Sequence, residues 1–118
     1  MVRIKRAYES AKPADGHRVL IDRLWPRGLR KNQAHLDEWL KEIAPSDALR
    51  KWFGHDPKRW RLFEERYRKE LASPAQRERL RMLLAAAGNQ PLTLVYGAKD
   101  EEHNQAVVLR DVLSRIAA

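Results

Sequence analysis

Four cationic side chains lie close together in residues 22–31, whose sequence is Asp-Arg-Leu-Trp-Pro-Arg-Gly-Leu-Arg-Lys. A guanidinium group binds carboxylate and phosphate oxygens through a fixed fork of donors, so Arg23 and Arg27 are candidate anion ligands. Asp22 would orient one of these arginines or act as a base, and Trp25 would contact the bound molecule. The structural alternative is an ion pair of Asp22 with Arg23 or Lys99, with Trp25 as a core anchor.

A second group of polar side chains occupies residues 96–104, where a predicted strand gives way to a predicted helix. Free N–H groups at a helix start attract anions, and Lys99 adds positive charge beside them. Tyr96 and Asn104 are candidate hydrogen-bond partners of the ligand. The acidic residues Asp100, Glu101 and Glu102 weaken a pure phosphate site, and they favour an acid–base role for Asp100 or His103 instead. The alternative for His103 is an exposed helix residue.

Three segments have strand patterns. Residues 2–7 alternate apolar and charged side chains, which predicts an edge strand. Residues 17–25 have a continuous apolar centre, which predicts a central strand that ends at Pro26 because proline cannot donate to a sheet. Residues 91–96 form a third apolar strand. The sequence therefore predicts one α/β domain over residues 1–118, with a small, mostly parallel sheet of about three strands and helices packed around it.

Between the second and third predicted strands the apolar spacing becomes helical. Ser46, Asp56 and Ser73 are predicted N-caps, and Gly54 and Gly88 are predicted helix ends. We also predict a first helix whose apolar stripe is Leu36, Trp39, Leu40 and Ile43. The last helix should be capped by Asp100 and should pack one apolar stripe on the sheet, namely Gln105, Val108, Leu109, Val112, Leu113 and Ile116.

In α/β folds, ligands bind outside the carboxyl ends of the strands. Residues 22–31 and 96–104 follow two predicted strands and should meet there. The hypothesis is a protein that binds, or an enzyme that converts, a small anionic molecule held between Arg23, Arg27 and Lys99. The candidate catalytic residues are Asp22, Lys99 and Asp100.

Several functional classes lack their sequence signals. The chain has no cysteine, which excludes disulfides, thiolate metal sites and thiol nucleophiles. It has no glycine-rich nucleotide motif, no nucleophile elbow and no zinc-protease motif, and its four histidines lie on separate elements, so no cofactor or metal is predicted. No apolar run approaches the length of a membrane span and no secretion signal is evident, so we expect a cytoplasmic protein that does not bind membranes.

Nucleic acid is the alternative partner. The net charge is +8, with a pI near 10.2, and much of the basic charge lies in the helical insertion among Trp60, Phe63 and Tyr67. These aromatic side chains follow the predicted core stripe, however, and glutamates alternate with the cations. That mixture is typical of a salt-bridged surface.

Three segments together resemble the YeaO-like family of uncharacterised bacterial proteins in the DUF488 superfamily. They are residues 20–28, residues 36–39, and residues 92–99 followed by Asn104 and Ala106. The resemblance extends over essentially the whole chain and implies an α/β fold, but no reaction. The matching polar and aromatic positions include Asp22, Arg23, Trp25, Arg27, Tyr96, Lys99 and Asn104.

Overall fold

A parallel sheet of four short strands organises the chain, for which the computed structural model describes residues 1–117. The strands are β1 (Val2–Arg6), β2 (His17–Leu20), β3 (Glu38–Trp39) and β4 (Leu92–Tyr96). Their order across the sheet is β1-β4-β2-β3, and every neighbouring pair is parallel. The α/β fold class is confirmed, and the sheet has four strands where about three were predicted.

Within residues 1–117, five α-helices accompany the sheet: α1 (Lys31–Ala34), α2 (Asp47–Phe53), α3 (Trp60–Leu71), α4 (Pro74–Ala87) and α5 (Gln105–Ala117). Short 3₁₀ turns occupy Pro13–Asp15, Lys41–Ile43 and Pro57–Arg59. The predicted caps are confirmed because Ser46 and Ser73 each accept a hydrogen bond from a backbone N–H in the first turn of α2 and α4. Gly54 ends α2 in the left-handed conformation, with a φ of 53°. No helix in residues 1–117 is long and apolar enough to cross a membrane.

The predicted helix over Leu36, Trp39, Leu40 and Ile43 is wrong. Its centre is the short strand β3, because the Asp37 N–H donates to the carbonyl of Arg18 over 2.8 Å. The N–H of Leu40 donates in the same way to the carbonyl of Leu20 over 2.9 Å. These bonds to β2 are long-range, and they override the helical spacing of the apolar side chains.

Two predicted boundaries also move. The strand predicted over residues 17–25 ends at Leu20, and the chain then forms the loop that contains Asp22. The last helix begins at Gln105, because Asn104 Oδ1 accepts hydrogen bonds from the two N–H groups that follow Gln105. Asp100 instead caps the turn that precedes the helix, by accepting from the N–H groups of Glu102 and His103.

One face of the sheet carries the main apolar core. Alternate residues of β1, β2 and β4 point to this side, including Ile4, Val19 and Leu94, and they pack with residues of α2, α3, α4 and α5. Tyr67 of α3 is fully buried in this layer, and its hydroxyl donates to the carbonyl of Ile43 over 2.6 Å. This layer supplies most of the apolar burial that stabilises the fold.

The opposite face is covered by loops and contains a buried group of charges. Asp15 is 7% exposed and Arg18 is 4% exposed. Asp15 accepts from Arg18 Nη1 over 2.7 Å and from Lys5 Nζ over 3.0 Å. Burial alone would raise the pKa of Asp15, but hydrogen bonds from the Lys12 N–H, Lys5 and Arg18 outweigh it and lower the pKa. The carboxylate therefore stays charged and holds the loops against the sheet.

Candidate functional site

A cavity of about 410 Å³ opens at the carboxyl ends of β2 and β4. Its walls come from the loop after β2, the end of α2, the loop after β4 and the start of α5. The lining residues are Tyr8, Asp22, Arg23, Leu24, Trp25, Pro26, Arg27, Pro45, Arg50, Lys51, Phe53, Gly54, His55, Phe63, Gly97, Ala98, Asn104 and Gln105. The loop after β2 and parts of the loop and cap after β4, which are distant in sequence, thus line one hollow.

Asp22 ties these two segments together. Its Oδ2 accepts from the N–H of Gly97 over 2.9 Å, and its Oδ1 accepts from Nε2 of Gln105 over 2.5 Å. Burial raises the pKa of this carboxyl group to about 6, although the bonds from Gly97 and Gln105 favour the charged form. The backbone carbonyl of Asp22 also accepts from Nε1 of Trp39 over 2.7 Å. Asp22 is therefore held in place by groups on three different elements.

The two predicted anion ligands differ in their availability. Arg23 is half-buried, and its guanidinium donates to the carbonyls of Pro45 over 2.9 Å and Ala44 over 3.3 Å. These bonds fix the loop after β2 to the chain that enters α2. Arg27 is exposed on the cavity rim and makes no ion pair with residues 1–117. Its backbone carbonyl accepts from the hydroxyl of Tyr8 over 2.6 Å.

Helix α2 contributes basic residues to the cavity that are not among the predicted site residues: Arg50, Lys51 and, just after the helix, His55. Nη2 of Arg50 lies 2.6 Å from Oδ1 of Asp47, and Nζ of Lys51 lies 3.0 Å from Oδ2 of the same carboxylate. Nε of Arg50 is buried and has no hydrogen-bond acceptor among residues 1–117. Helical spacing predicted only the apolar side of this segment, and nothing local in the sequence shows that its basic residues face the loop after β2.

Apolar and aromatic side chains form another part of the wall. Phe53 and Phe63 stack with their ring centroids 4.3 Å apart, and Leu24 is 60% exposed. Trp25 packs edge-on against Trp39 at a centroid distance of 5.4 Å, and its Nε1 donates to the carbonyl of Leu29. The cavity therefore combines a basic rim with an apolar wall, and Trp25 contributes both to the wall and to the core of the loop-covered face.

Three of the predicted site residues do not line the cavity: Tyr96, Lys99 and Asp100. Tyr96 is 2% exposed within the apolar core, and burial is the largest cause of the rise in its pKa. The exposed Lys99 makes no ion pair with residues 1–117. Asn104 does line the cavity, but its amide is bonded to the backbone at the start of α5 and to the carbonyl of Asp100.

Asp100 and His103 form a local pair outside the cavity. The Nδ1 of His103 lies 2.9 Å from Oδ2 of Asp100, and the imidazole ring packs edge-on against Trp60 at a centroid distance of 5.3 Å. Hydrogen bonds lower the pKa of Asp100, foremost the one from the Glu102 N–H. Among residues 1–117, histidine and acidic side chains form no group of three that could hold a metal ion.

The basic helical surface contains several internal ion pairs. Arg68 of α3 lies 2.9 Å from Asp111 of α5 and 3.8 Å from Glu64, and Arg81 lies 3.5 Å from Glu78. Two other arginines cover the ring of Trp52, with Arg59 at 5.2 Å and Arg66 at 4.3 Å from its centroid. These ion pairs and cation–π contacts engage several of the basic side chains on this surface. They agree with the solvated, salt-bridged surface that the sequence pattern predicts.

Comparison with known proteins gives relatives of similar length and no assigned reaction. A family described as "Inactive DUF488-N3 subclade" matches residues 1–118. "Uncharacterized protein YeaO" of Escherichia coli (strain K12) is 46% identical over 112 residues, which are 95% of this chain and 96% of the relative. "Uncharacterized protein Rv3073c" of Mycobacterium tuberculosis (strain ATCC 25618 / H37Rv) is 40% identical over 113 residues, 96% and 93% of the two chains. No solved structure matches the chain significantly.

Proposed function

Because the chain belongs to the YeaO-like DUF488 family, in the subclade described as inactive, we propose that it binds a small anionic molecule in the cavity rather than converting one. The family itself has no assigned function. The proposal is supported by the residues that this chain places around the cavity.

The observation that carries the proposal is the charge of the cavity wall. Arginine and lysine at four positions and one histidine line it, whereas Asp22 is the single carboxylate among the lining residues of the described chain. The basic residues are Arg23, Arg27, Arg50, Lys51 and His55. Positive charge concentrated in a cleft with apolar walls raises the local concentration of anions and strengthens their binding.

The cations differ in what they can give to a ligand. Arg23 is already bonded to Ala44 and Pro45, so it contributes charge but few free donors. Arg27 and the Arg50–Lys51 pair on α2 are the proposed anion ligands. Arg50 and Lys51 share the carboxylate of Asp47, but their side chains remain 38% and 70% exposed and can approach a ligand.

Asp22 has a positioning role in this proposal. Its two oxygens hold Gly97 and Gln105, so it fixes the loop after β4 against the loop after β2. A carboxylate repels an anion, which places the bound anion toward α2 and away from Asp22. Of the three residues predicted to be catalytic, Asp22 lines the cavity, whereas Lys99 and Asp100 lie outside it, so this proposal uses Asp22 alone.

Thermal stability in the presence of simple anions tests the proposal. Inorganic phosphate, acetate and citrate would be titrated at constant ionic strength, because ligand binding to the folded state raises the melting temperature. We expect a saturable rise that is lost when Arg50→Met and Lys51→Met are combined. Arg81→Met, an exposed substitution on α4, is the control for lost charge and should keep the rise. Equal shifts in all variants, or no shift with any anion, would contradict anion binding in the cavity.

Nucleic acid is the alternative partner that the sequence predicts. Anisotropy of a labelled single-stranded oligonucleotide tests it, and tight binding with a steep salt dependence would support it. We expect only weak binding because several cations of the helical surface pair with acids of the same surface. Loss of oligonucleotide binding in Arg59→Met with Arg66→Met, but not in the cavity variants, would locate the contact on the helices.

A further inference from the structure

We propose that the ligand of this cavity is a flat aromatic monoacid, in which an apolar ring carries one anionic group. This inference rests on the proposed anion site and adds the part of the ligand that the cations do not contact. Small-molecule sites are lined mostly by apolar groups, with a few polar groups that fix the orientation of the ligand.

The apolar part of the wall is suited to a ring. The exposed apolar surface comes from Leu24, which is 60% exposed, and from the half-buried Trp25 and Ala98. Phe53 and Phe63 stack on each other and are only 5% and 2% exposed, so they line the cavity with little surface of their own. An inorganic anion would leave the exposed apolar surface in water, whereas a ring placed on it would remove that surface from water.

The spacing of Arg50 and Phe53 sets how the two parts of the ligand are joined. They lie three residues apart on α2, so their side chains are neighbours on one face of the helix, about 5–6 Å apart at Cβ. Both side chains line the cavity. A ligand that reaches both must carry its anionic group directly on the ring or through a short link.

The position of Asp22 limits the ligand to one negative group. The loop that contains this carboxylate lines the side of the cavity formed with Gly97 and Gln105, whereas the cations with free donors lie on α2 and on Arg27. A second negative group on the opposite end of the ring would approach Asp22 and be repelled. A neutral group or a hydrogen-bond donor at that end is compatible with the site.

Matched probes separate the two halves of the ligand. Fluorescence titration and calorimetry would compare 2-naphthoate with acetate, which has the charge without the ring, and with 2-naphthalenemethanol, which has the ring without the charge. We expect 2-naphthoate to bind at least about tenfold more tightly than either, because only this probe contacts both parts of the wall. Terephthalate, with a second carboxylate on the ring, should bind more weakly than benzoate.

Two leucine variants test the apolar contact. Leu24→Ser should weaken 2-naphthoate binding about fivefold relative to the binding of acetate and phosphate. Leu62→Ser is the control, because Leu62 is 49% exposed on α3 and does not line the cavity, and it should change neither. Arg50→Met should weaken both classes of probe.

The outcomes distinguish this inference from the proposed function. If acetate and phosphate bind in an Arg50-dependent way but 2-naphthoate binds no better, the anion site stands and the aromatic class is overturned. If 2-naphthoate binds equally well in Arg50→Met, its binding is hydrophobic only, and the aromatic-acid class is again overturned. If no anion of either kind binds, both the class and the anion site fail.

Discussion

The backbone N–H of Gly97 donates to Oδ2 of Asp22 over 2.9 Å, and a Cβ atom added to Gly97 would lie 2.9 Å from the same oxygen. The next contacts of that Cβ would be with the ring of Pro26, at 3.2 and 3.3 Å. The loop after β4 therefore approaches the loop after β2 too closely for a side chain. Glycine is required here by this contact and not by a left-handed backbone.

Gly97→Ala should destabilise the protein by about 1–3 kcal/mol, because the new methyl group overlaps the carboxylate of Asp22 and crowds Pro26. Urea denaturation of the single variants and of the double variant with Asp22→Ala would measure the coupling. In the Asp22→Ala background, where the carboxylate is absent, Gly97→Ala should lower the free energy of unfolding by about 1 kcal/mol less than it does in wild type. Strictly additive effects would show that the two loops do not meet as described.

The raised pKa of Asp22 predicts a specific dependence of stability on pH. The folded-state pKa of about 6 is above the ordinary value of 3.8, so the folded protein binds the proton more tightly than the unfolded chain. This stabilisation is complete below about pH 4 and is lost as the pH rises through 6. The loss is about 3 kcal/mol at 1.36 kcal/mol for each pKa unit.

Asp22→Asn should remove that pH dependence. The amide oxygen of asparagine can accept from Gly97, and the Gln105 amide can turn to accept from the new NH₂ group. Denaturation curves measured between pH 4 and 7.5 should show wild type losing stability relative to the variant. Parallel profiles for the two proteins would mean that Asp22 titrates at its ordinary pKa.

Asp47→Asn should strengthen anion binding about threefold, because it releases Arg50 and Lys51 from their shared carboxylate. Hydrogen bonds, foremost from Arg50, lower the pKa of Asp47, so the group is ionised at neutral pH. The affinity for phosphate or 2-naphthoate would be measured by calorimetry. Asp111→Asn is the control, since Asp111 pairs with Arg68 and Arg115 outside the cavity. An equal gain in both variants would indicate a general effect of net charge.

Asp15→Asn should destabilise the protein by about 3 kcal/mol or more, because it removes the counter-charge of the buried Arg18 and of Lys5. The free energy of unfolding from urea titrations would measure the loss. Asp111→Asn, which breaks only surface pairs, should change stability by less than about 1 kcal/mol. If Asp15→Asn also lowered the free energy of unfolding by less than about 1 kcal/mol, the charges on the loop-covered face would be accessible to water.

The parts of the fold that the sequence predicted are those whose signals are local. Ser46 and Ser73 are predictable as caps because a capping side chain bonds within the first turn of its own helix. The apolar residues around Trp39 have helical spacing and predict a helix, whereas the strand forms through bonds to β2, about twenty residues earlier in the chain. A strand of two residues is too short to show the alternation of apolar and polar side chains by which a strand is predicted.

In the candidate site, too, the predictable features are those with local signals in the sequence. The sequence points to the loop after β2 because its arginines are close together in sequence, and the approach of this loop to Gly97 follows from the parallel pairing of β2 and β4. Nothing local in the sequence points to Arg50, because its place in the cavity depends on how α2 lies over the sheet. The charge of Lys99 makes it a candidate ligand, but the turn at Asp100 leaves Lys99 exposed and outside the cavity.

The place of β4 in the sheet has a consequence for biosynthesis. β1 and β2 have no hydrogen bonds to one another, and each pairs with β4, which begins at Leu92. While the chain is emerging from the ribosome, the edges of β1 and β2 that face β4 must wait for a partner that is translated about seventy residues after β2. We therefore expect the native sheet to close in one late step, after β4 has left the ribosome.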